Sequence, residues 1–291
     1  MSLAIPAIPV IASIKELGGR YRAWLVDIWG VMHNGRRAFP QAVAATQAFR
    51  ASGGIVVLLS NSPRPSGSVH QQLRGLGVPD DAYDATVTSG DLTRYELGKH
   101  KGARVFHLGP ERDLPIFAGI DMKLVGPEAA ELIVCTGLFD DETETPDDYV
   151  EMLGKLAGRS LPMICANPDH LVERGSSLVY CAGALAAVYE RAGGNVIYAG
   201  KPFPPVYDLA LETIGELAGK PVARNDILAI GDGVNTDIAG AADAGIDSVF
   251  VASGLHVPTS SEDEELDERH LAELFAPAKR RPLGAIRALI W

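Results

Sequence analysis

Short apolar runs alternate along this chain with segments whose apolar residues recur at helical spacing, and most of the runs stop at polar or glycine-containing turns. The first run, Ala23 to Val26, stops at Asp27, with Gly30 just beyond it. A buried strand that delivers one carboxylate to the edge of a sheet reads this way. Lys15 to Arg22 before it reads as a short helix or turn, and His33-Asn34-Gly35 after it is a turn signal. Pro40 to Ala51 has proline in its first turn, Val43 and Phe49 among alanines, and Gly53-Gly54 as a stop, which predicts a helix. Ile55 to Leu59 is a second buried strand, closed by the polar turn Ser60-Asn61-Ser62-Pro63. Val69, Leu73 and Leu76 place a helix over 66–76.

Strand, helix, strand, helix in this order argues for βαβ units and a parallel sheet. Right-handed crossovers put both strand ends on one edge, so Asp27 and Ser60 are expected to face one crevice, where open α/β sheets collect ligands. The pattern continues. Val87-Thr88-Ser89-Gly90 is a short strand into a turn, 91–98 is helical, and 103–108, 131–135 and 161–166 are strand candidates, the last closed by Ala166-Asn167-Pro168-Asp169. Gly183 to Arg191 predicts a helix. Val196 to Ala199 predicts a strand ending in Gly200-Lys201-Pro202, and Val206, Leu209, Ala210, Ile214 and Leu217 mark an amphipathic helix. Ile227 to Ile230 reads as a strand leading into Gly231-Asp232-Gly233 and Asp237. A helix follows over Ile238 to Ala244 and a strand over Ser248 to Val251. Ser261 to Phe275 reads as a helix with a serine cap and acidic first turn. Alternation with polar strand ends is densest in 20–80 and 195–252, so the stretch between reads as an inserted second domain: 1–83 and 180–291 form one domain, 84–179 the other.

Composition narrows the partners. The 291 residues are 47% hydrophobic and 22% charged, enough for a sizeable core, and the formal net charge is −11. That balance argues against nucleic acid or an anionic membrane as partner, and an anionic substrate would need local positive groups or a metal ion. Lys279, Arg280 and Arg281 are a short, isolated basic cluster, read as surface; Asp140-Asp141-Glu142 with Glu144 reads as a solvated loop and helix start. The three cysteines, Cys135, Cys165 and Cys181, form no CxxC pair and sit in apolar runs, as buried thiols of a reducing compartment do. Residues 1–14 lack a basic n-region and carry two prolines, which does not fit a signal peptide, and no run reaches the length of a membrane span. A cytoplasmic protein is expected.

Four strand-end features form a chemically coherent set: Asp27; Ser60-Asn61; Lys201; and Asp232 with Asp237. Carboxylates without a histidine cluster suit a hard ion such as Mg²⁺. A serine hydroxyl, an asparagine amide and nearby backbone N–H groups can donate to phosphate oxygens, and a lysine adds a point charge. A remaining carboxylate can attack phosphorus covalently.

The order Asp27-x-x-Gly30-Val31, Ser60-Asn61, Gly200-Lys201-Pro202, Gly231-Asp232-Gly233-x-x-x-Asp237 resembles the four motifs of haloacid dehalogenase-like hydrolases. It is most similar to the branch of nitrophenyl-phosphatase-like and sugar-phosphate phosphatases, whose large α/β cap is inserted between the second and third motifs. Ala166-Asn167-Pro168-Asp169 resembles that branch's cap loop, and the likeness spans roughly 20–255. The resemblance implies a doubly wound, mainly parallel, Rossmann-like core with an inserted α/β cap domain. It implies Asp27 as nucleophile and Mg²⁺ ligand, the Trp29 carbonyl as a second ligand, Asp232 as a ligand and Asp237 in support. Ser60, Asn61 and Ser62 would hold the phosphoryl group, Lys201 would pair Asp27 and phosphate, and Asn167 and Asp169 would face substrate from the cap.

The pattern breaks at one place. These phosphatases usually carry a second aspartate two residues after the nucleophile, as the acid for the leaving oxygen and the base for water; here that residue is Trp29. Indole does no acid–base work, and such catalysis is commonly worth roughly 10²–10⁴-fold. His33 is one candidate substitute and Asp169 on the cap another; activated leaving groups, needing little protonation, are the third explanation. The function expected is thus a Mg²⁺-dependent hydrolase of a small phosphorylated metabolite, working through an aspartyl-phosphate at Asp27 and slowed by Trp29. The rivals are a phosphate-binding protein of the same fold with little turnover, and a dehalogenase-like or lyase-like reaction. A homodimer through apolar cap strands is also a candidate.

Overall fold

The computed structural model describes residues 7–174, 177–252, 266–278 and 281–291. The chain divides into two compact units: Met1–Leu59, Gln72–Thr86 and Tyr207–Trp291 form the first, Ser60–Gln71 and Val87–Val206 the second. Thirteen strands occur among the described residues: β1 (Ala23–Asp27), β2 (Ile55–Ser60), β3 (Ala85–Thr88), β4 (Arg104–Leu108), β5 (Lys123–Leu124), β6 (Leu132–Cys135), β7 (Pro162–Cys165), β8 (Leu171–Arg174), β9 (Ser177–Tyr180), β10 (Asn195–Tyr198), β11 (Ile227–Gly231), β12 (Asp247–Val251) and β13 (Gly284–Ile286).

The first unit is built on a sheet in the order β13-β12-β11-β1-β2-β3. All five residues of β1 are buried, as are all five of β11, and β1 lies parallel to both β11 and β2. Strands buried on both faces lack polar alternation, which is why both read as continuous apolar runs. Helix Pro40–Ala51 starts on its proline and buries Ala42, Ala45, Thr46 and Phe49. The Phe49 ring stacks on Trp24 of β1 at 3.9 Å between centroids. At the far edge, Val10 bridges to Ala285 of β13. No helix among the described residues is long and apolar enough to cross a membrane.

The second unit has its own sheet, ordered β10-β7-β6-β4-β5 and parallel throughout, with a separate antiparallel β8–β9 hairpin. Helix Ser89–Leu97 opens on a capping box in which Thr88 and Asp91 satisfy each other's backbone N–H groups. Cys135, Cys165 and Cys181 are all buried free thiols, as expected, and burial pushes the Cys135 thiol up to about 12.

Three expectations change. The division at 180 falls too early, because helix Ala182–Arg191 packs into the second unit's core and β10 pairs with β7. Ser60–Gln71 groups with the second unit as well. A run of four residues cannot reveal which sheet a strand joins, and the motif at the end of β10 drew it toward the wrong one. Asp141 is no solvated surface acid: its carboxylate is held between Arg112 and Arg174, with Arg174 Nη2 at 2.7 Å. The helix expected from Ser261 begins at Glu268, where Asp267 caps it by accepting the Arg269 N–H at 2.8 Å. Ser261 itself, Lys279, Arg280 and residues 1–6 of the N-terminal stretch lie outside the described residues.

Candidate active site

In the first unit, strand order brings two distant carboxylates side by side. Val26 of β1 is level with Ile230 of β11, so Asp27 ends its strand beside Gly231, and Asp232 is the next residue along. Asp237 comes from the single π-helical turn Val234–Ile238 that follows. Its Oδ2 accepts the Gly233 N–H at 3.0 Å, and the Tyr207 hydroxyl donates to the Thr236 and Asp237 carbonyls at 3.2 and 3.4 Å, pinning the turn. One carboxylate oxygen from each of Asp27, Asp232 and Asp237 lies within 4.8 Å of the others. Asp27 and Asp237 are 7% and 6% exposed.

Three ionised carboxylates this close repel by of order 3 kcal/mol per pair at an effective dielectric constant of about 20. A hard divalent cation with oxygen ligands removes that repulsion. Gly30 makes the cradle: its φ is +87°, and a Cβ there would stand 2.1 Å from Asp232 Oδ2. The donor set, all oxygen and held by two neighbouring strands, therefore fits Mg²⁺.

The loop between Asp27 and the helix at Pro40 is tight. Met32 and His33 donate their N–H groups to the Ile28 carbonyl, and Gly30 donates to that of His33. The Trp29 ring meets the His33 ring edge-on at 5.0 Å and covers Gly35. His33 is not the turn residue its sequence context suggests. It is 1% exposed, its Nδ1 accepts the Gly35 N–H at 3.0 Å, and burial lowers its pKa to about 4. It is therefore a neutral imidazole near pH 7, poorly suited to the proton donation expected of it.

The same burial makes His33 an acid liability. Unfolded, the ring takes its proton near 6.5; folded, it resists until about 4. Between those values the unfolded chain binds more protons, so stability falls as pH drops through this window and His33 adds no further loss below it. The full shift corresponds to roughly 3 kcal/mol. Denaturant midpoints at about pH 7 and about pH 4.5 should show a smaller acid loss in His33→Gln than in wild type; equal losses would assign the effect to other groups.

In the second unit, Asn61 organises the polar residues. Its Oδ1 accepts the Lys201 N–H at 2.7 Å, and its Nδ2 donates to the Lys201 carbonyl at 3.1 Å and to Asp169 Oδ1 at 2.9 Å. The Asn61 amide is thus engaged with protein groups, and what it retains for a ligand is its backbone N–H. Asp169 is likewise engaged, and the Asn167 Oδ1 accepts its N–H at 3.1 Å. Lys201 is 2% exposed, far from the surface lysine that a turn context allows. The Ser60 hydroxyl accepts the Ser62 N–H at 3.1 Å, and the Ser62 carbonyl accepts the Gly90 N–H at 3.0 Å. Ser60 itself ends β2, one residue past Leu59, the register partner of Asp27. Sequence reasoning found each of these residues but missed the Asn61 network, whose only sequence signal is that its members lie one to four residues past the end of a strand.

A haloacid dehalogenase-like hydrolase model matches residues 24–123 and a HAD-hydrolase-like model residues 198–277. A crystal structure of a haloacid dehalogenase-like hydrolase from Brucella suis 1330 is 45% identical, covers 97% of this chain and 100% of its own, and superposes with a TM-score of 0.86. An acid sugar phosphatase of Staphylococcus aureus is 23% identical over 269 residues, 88% of this chain and 98% of the relative. The ribonucleotide monophosphatase NagD of Escherichia coli is 27% identical over 244 residues, 79% and 87% of the two chains. With its motif carboxylates gathered at the carboxyl ends of adjacent parallel strands, the chain belongs to the haloacid dehalogenase-like hydrolases.

Proposed function

We propose that this hydrolase is a Mg²⁺-dependent phosphatase of small phosphomonoesters that works through an aspartyl-phosphate at Asp27. The carrying observation is the oxygen-only cluster of Asp27, Asp232 and Asp237. The relatives named as phosphatases support the substrate class. Asp27, Asp232 and the Trp29 carbonyl would hold the metal, with Asp237 in support. When bound, Mg²⁺ neutralises phosphate charge and leaves the phosphorus open to an anionic nucleophile.

In this reading an Asp27 carboxylate oxygen attacks phosphorus, the bond to the leaving oxygen breaks, and water then cleaves the acyl phosphate to regenerate Asp27. The Ser60 hydroxyl and the backbone N–H of Asn61 donate to the phosphoryl oxygens, and the Ser62 N–H, donating to the Ser60 oxygen, orients that hydroxyl. Lys201 supplies positive charge, held in place by Asn61. The leaving oxygen lacks a strong proton donor: Trp29 has none to give, Asp169 is bound to Asn61, and about one His33 ring in a thousand is charged at pH 7 by its pKa of about 4. Activated esters, which leave without protonation, are therefore the better substrates.

Trp29 also favours a second reading, a phosphate-binding protein with little turnover. Nitrophenyl phosphate separates the two. Release of nitrophenolate that stops with EDTA and returns with Mg²⁺ is expected. Stabilisation by inorganic phosphate without any release would establish the binding protein instead.

A further inference from the structure

The Trp29 indole has no task in the reaction proposed above, yet it stands beside the groups that carry it. Gly30, the next residue, packs so closely on the carboxylate cluster that a Cβ there would stand 2.1 Å from Asp232 Oδ2. The Trp29 Cα is one peptide from that glycine, about 3.8 Å. A ring as large as indole, rooted there, is within reach of an ester whose phosphorus faces Asp27. Trp24, in β1, is wholly buried against Phe49, whereas Trp29 is partly exposed.

The ring is also held in one orientation by its own loop. The His33 ring meets it at 76°, with 5.0 Å between centroids. His33 is itself fixed: its Nδ1 accepts the Gly35 N–H at 3.0 Å, and its backbone N–H donates to the Ile28 carbonyl at 3.2 Å. Gly35, at φ +82°, lets the six-membered edge of the indole lie against the backbone, since a Cβ there would stand 2.7 Å from Cη2 and Cζ2. A side chain fixed before its ligand arrives loses little rotamer freedom on contact. Packing alone is better served by full burial, as at Trp24. A tryptophan that is pinned and still partly exposed is suited to a second ring, offset-stacked or edge-on.

The same side chain sets the chemistry of the leaving group. Indole brings no acid to the ester oxygen, so that oxygen has to depart as a stable anion. An oxygen bonded to an aromatic ring does so as a phenolate, whereas an alkoxide needs a proton. The exposed ring and the missing acid therefore select the same molecule. Resting on the phosphatase reading, we propose that the Trp29 indole is a specificity-determining platform that stacks on an aromatic ring bonded directly to the ester oxygen, which makes aryl phosphates the substrate class.

Binding of uncleavable analogues separates the platform from leaving-group reactivity. Calorimetric titrations with Mg²⁺ present compare phenylphosphonate with methylphosphonate in wild type, Trp29→Phe, Trp29→Leu and Trp29→Ala. Wild type should bind phenylphosphonate about fivefold or more tightly than methylphosphonate. Trp29→Phe should keep the larger part of that ratio, and Trp29→Leu and Trp29→Ala should bring it within about twofold of one; either of the last two, if folded, decides the point. A wild-type ratio near one, no binding of phenylphosphonate, or equal weakening of both phosphonates in the variants would overturn the platform. Hydrolysis of nitrophenyl phosphate alongside any of these results leaves the phosphatase reading standing without it. Phosphocholine that binds wild type more tightly than phenylphosphonate, and loses that lead in Trp29→Leu, would reassign the indole to a cation. Selective binding of phenylphosphonate by a protein that hydrolyses no ester would refute the phosphatase reading, and aryl phosphates as substrates with it.

Discussion

Asp27→Asn should abolish turnover while leaving the fold intact. The substitution keeps the shape of the side chain at the end of β1 but removes the anionic oxygen that attacks phosphorus, and loss of a nucleophile commonly costs roughly 10³–10⁶-fold in kcat. It also removes one of three crowded negative charges, so without metal the variant should melt no lower than wild type. Wild type should gain about 2.7 kcal/mol of stability at a Mg²⁺ concentration one hundredfold above Kd, and the variant distinctly less. Thermal melts with and without Mg²⁺ thus test the metal site apart from catalysis. A variant with wild-type turnover would refute Asp27 as nucleophile. An unchanged Mg²⁺ shift would mean that the ion binds elsewhere.

Trp29→Asp should raise turnover. If the missing proton shuttle is the one defect of the site, a carboxyl group two residues after the nucleophile should restore roughly 10²-fold or more in kcat, within the range that general acid–base catalysis supplies. The gain should be larger for alkyl esters, whose leaving oxygens need a proton, than for nitrophenyl phosphate. The indole does pack, edge-on to His33 and over Gly35, so the variant will lose some stability. Trp29→Ala measures that loss alone and should show no gain in rate. If Trp29→Asp is no faster than Trp29→Ala for any ester, the proton donor is already present on another residue.

Much of this could be read before any coordinates, for physical reasons that differ from element to element. β1 and β11 are buried on both faces, so each is an unbroken apolar run, and the carboxylates that end them stand out. The helix at Pro40 announces itself by proline at its start and glycine at its stop. β10 was legible as a strand but not as a member of its sheet, because pairing with β7 leaves no mark within four residues. β5, β8, β9 and β13 are too short or too exposed to carry a periodic signal. His33 lies in the loop that His33-Asn34-Gly35 signals, but its burial leaves no local mark, since Trp29 packs edge-on against it within that loop. His107 was missed because its contact is a hydrogen bond to Thr136 between the neighbouring strands β4 and β6, and local spacing does not encode it.

The Asn61 contacts with Lys201 join positions 140 residues apart, one in the short Ser60–Gln71 piece of the second unit, the other near the end of its long Val87–Val206 piece. The amide works as a clasp between those two pieces. Asn61 grips both the N–H and the carbonyl of Lys201, so the lysine backbone is carried in a fixed position by the closure. Lengthening or trimming surface loops between residues 100 and 195 can therefore reshape what the second unit recognises without disturbing where its ammonium-bearing segment is tied.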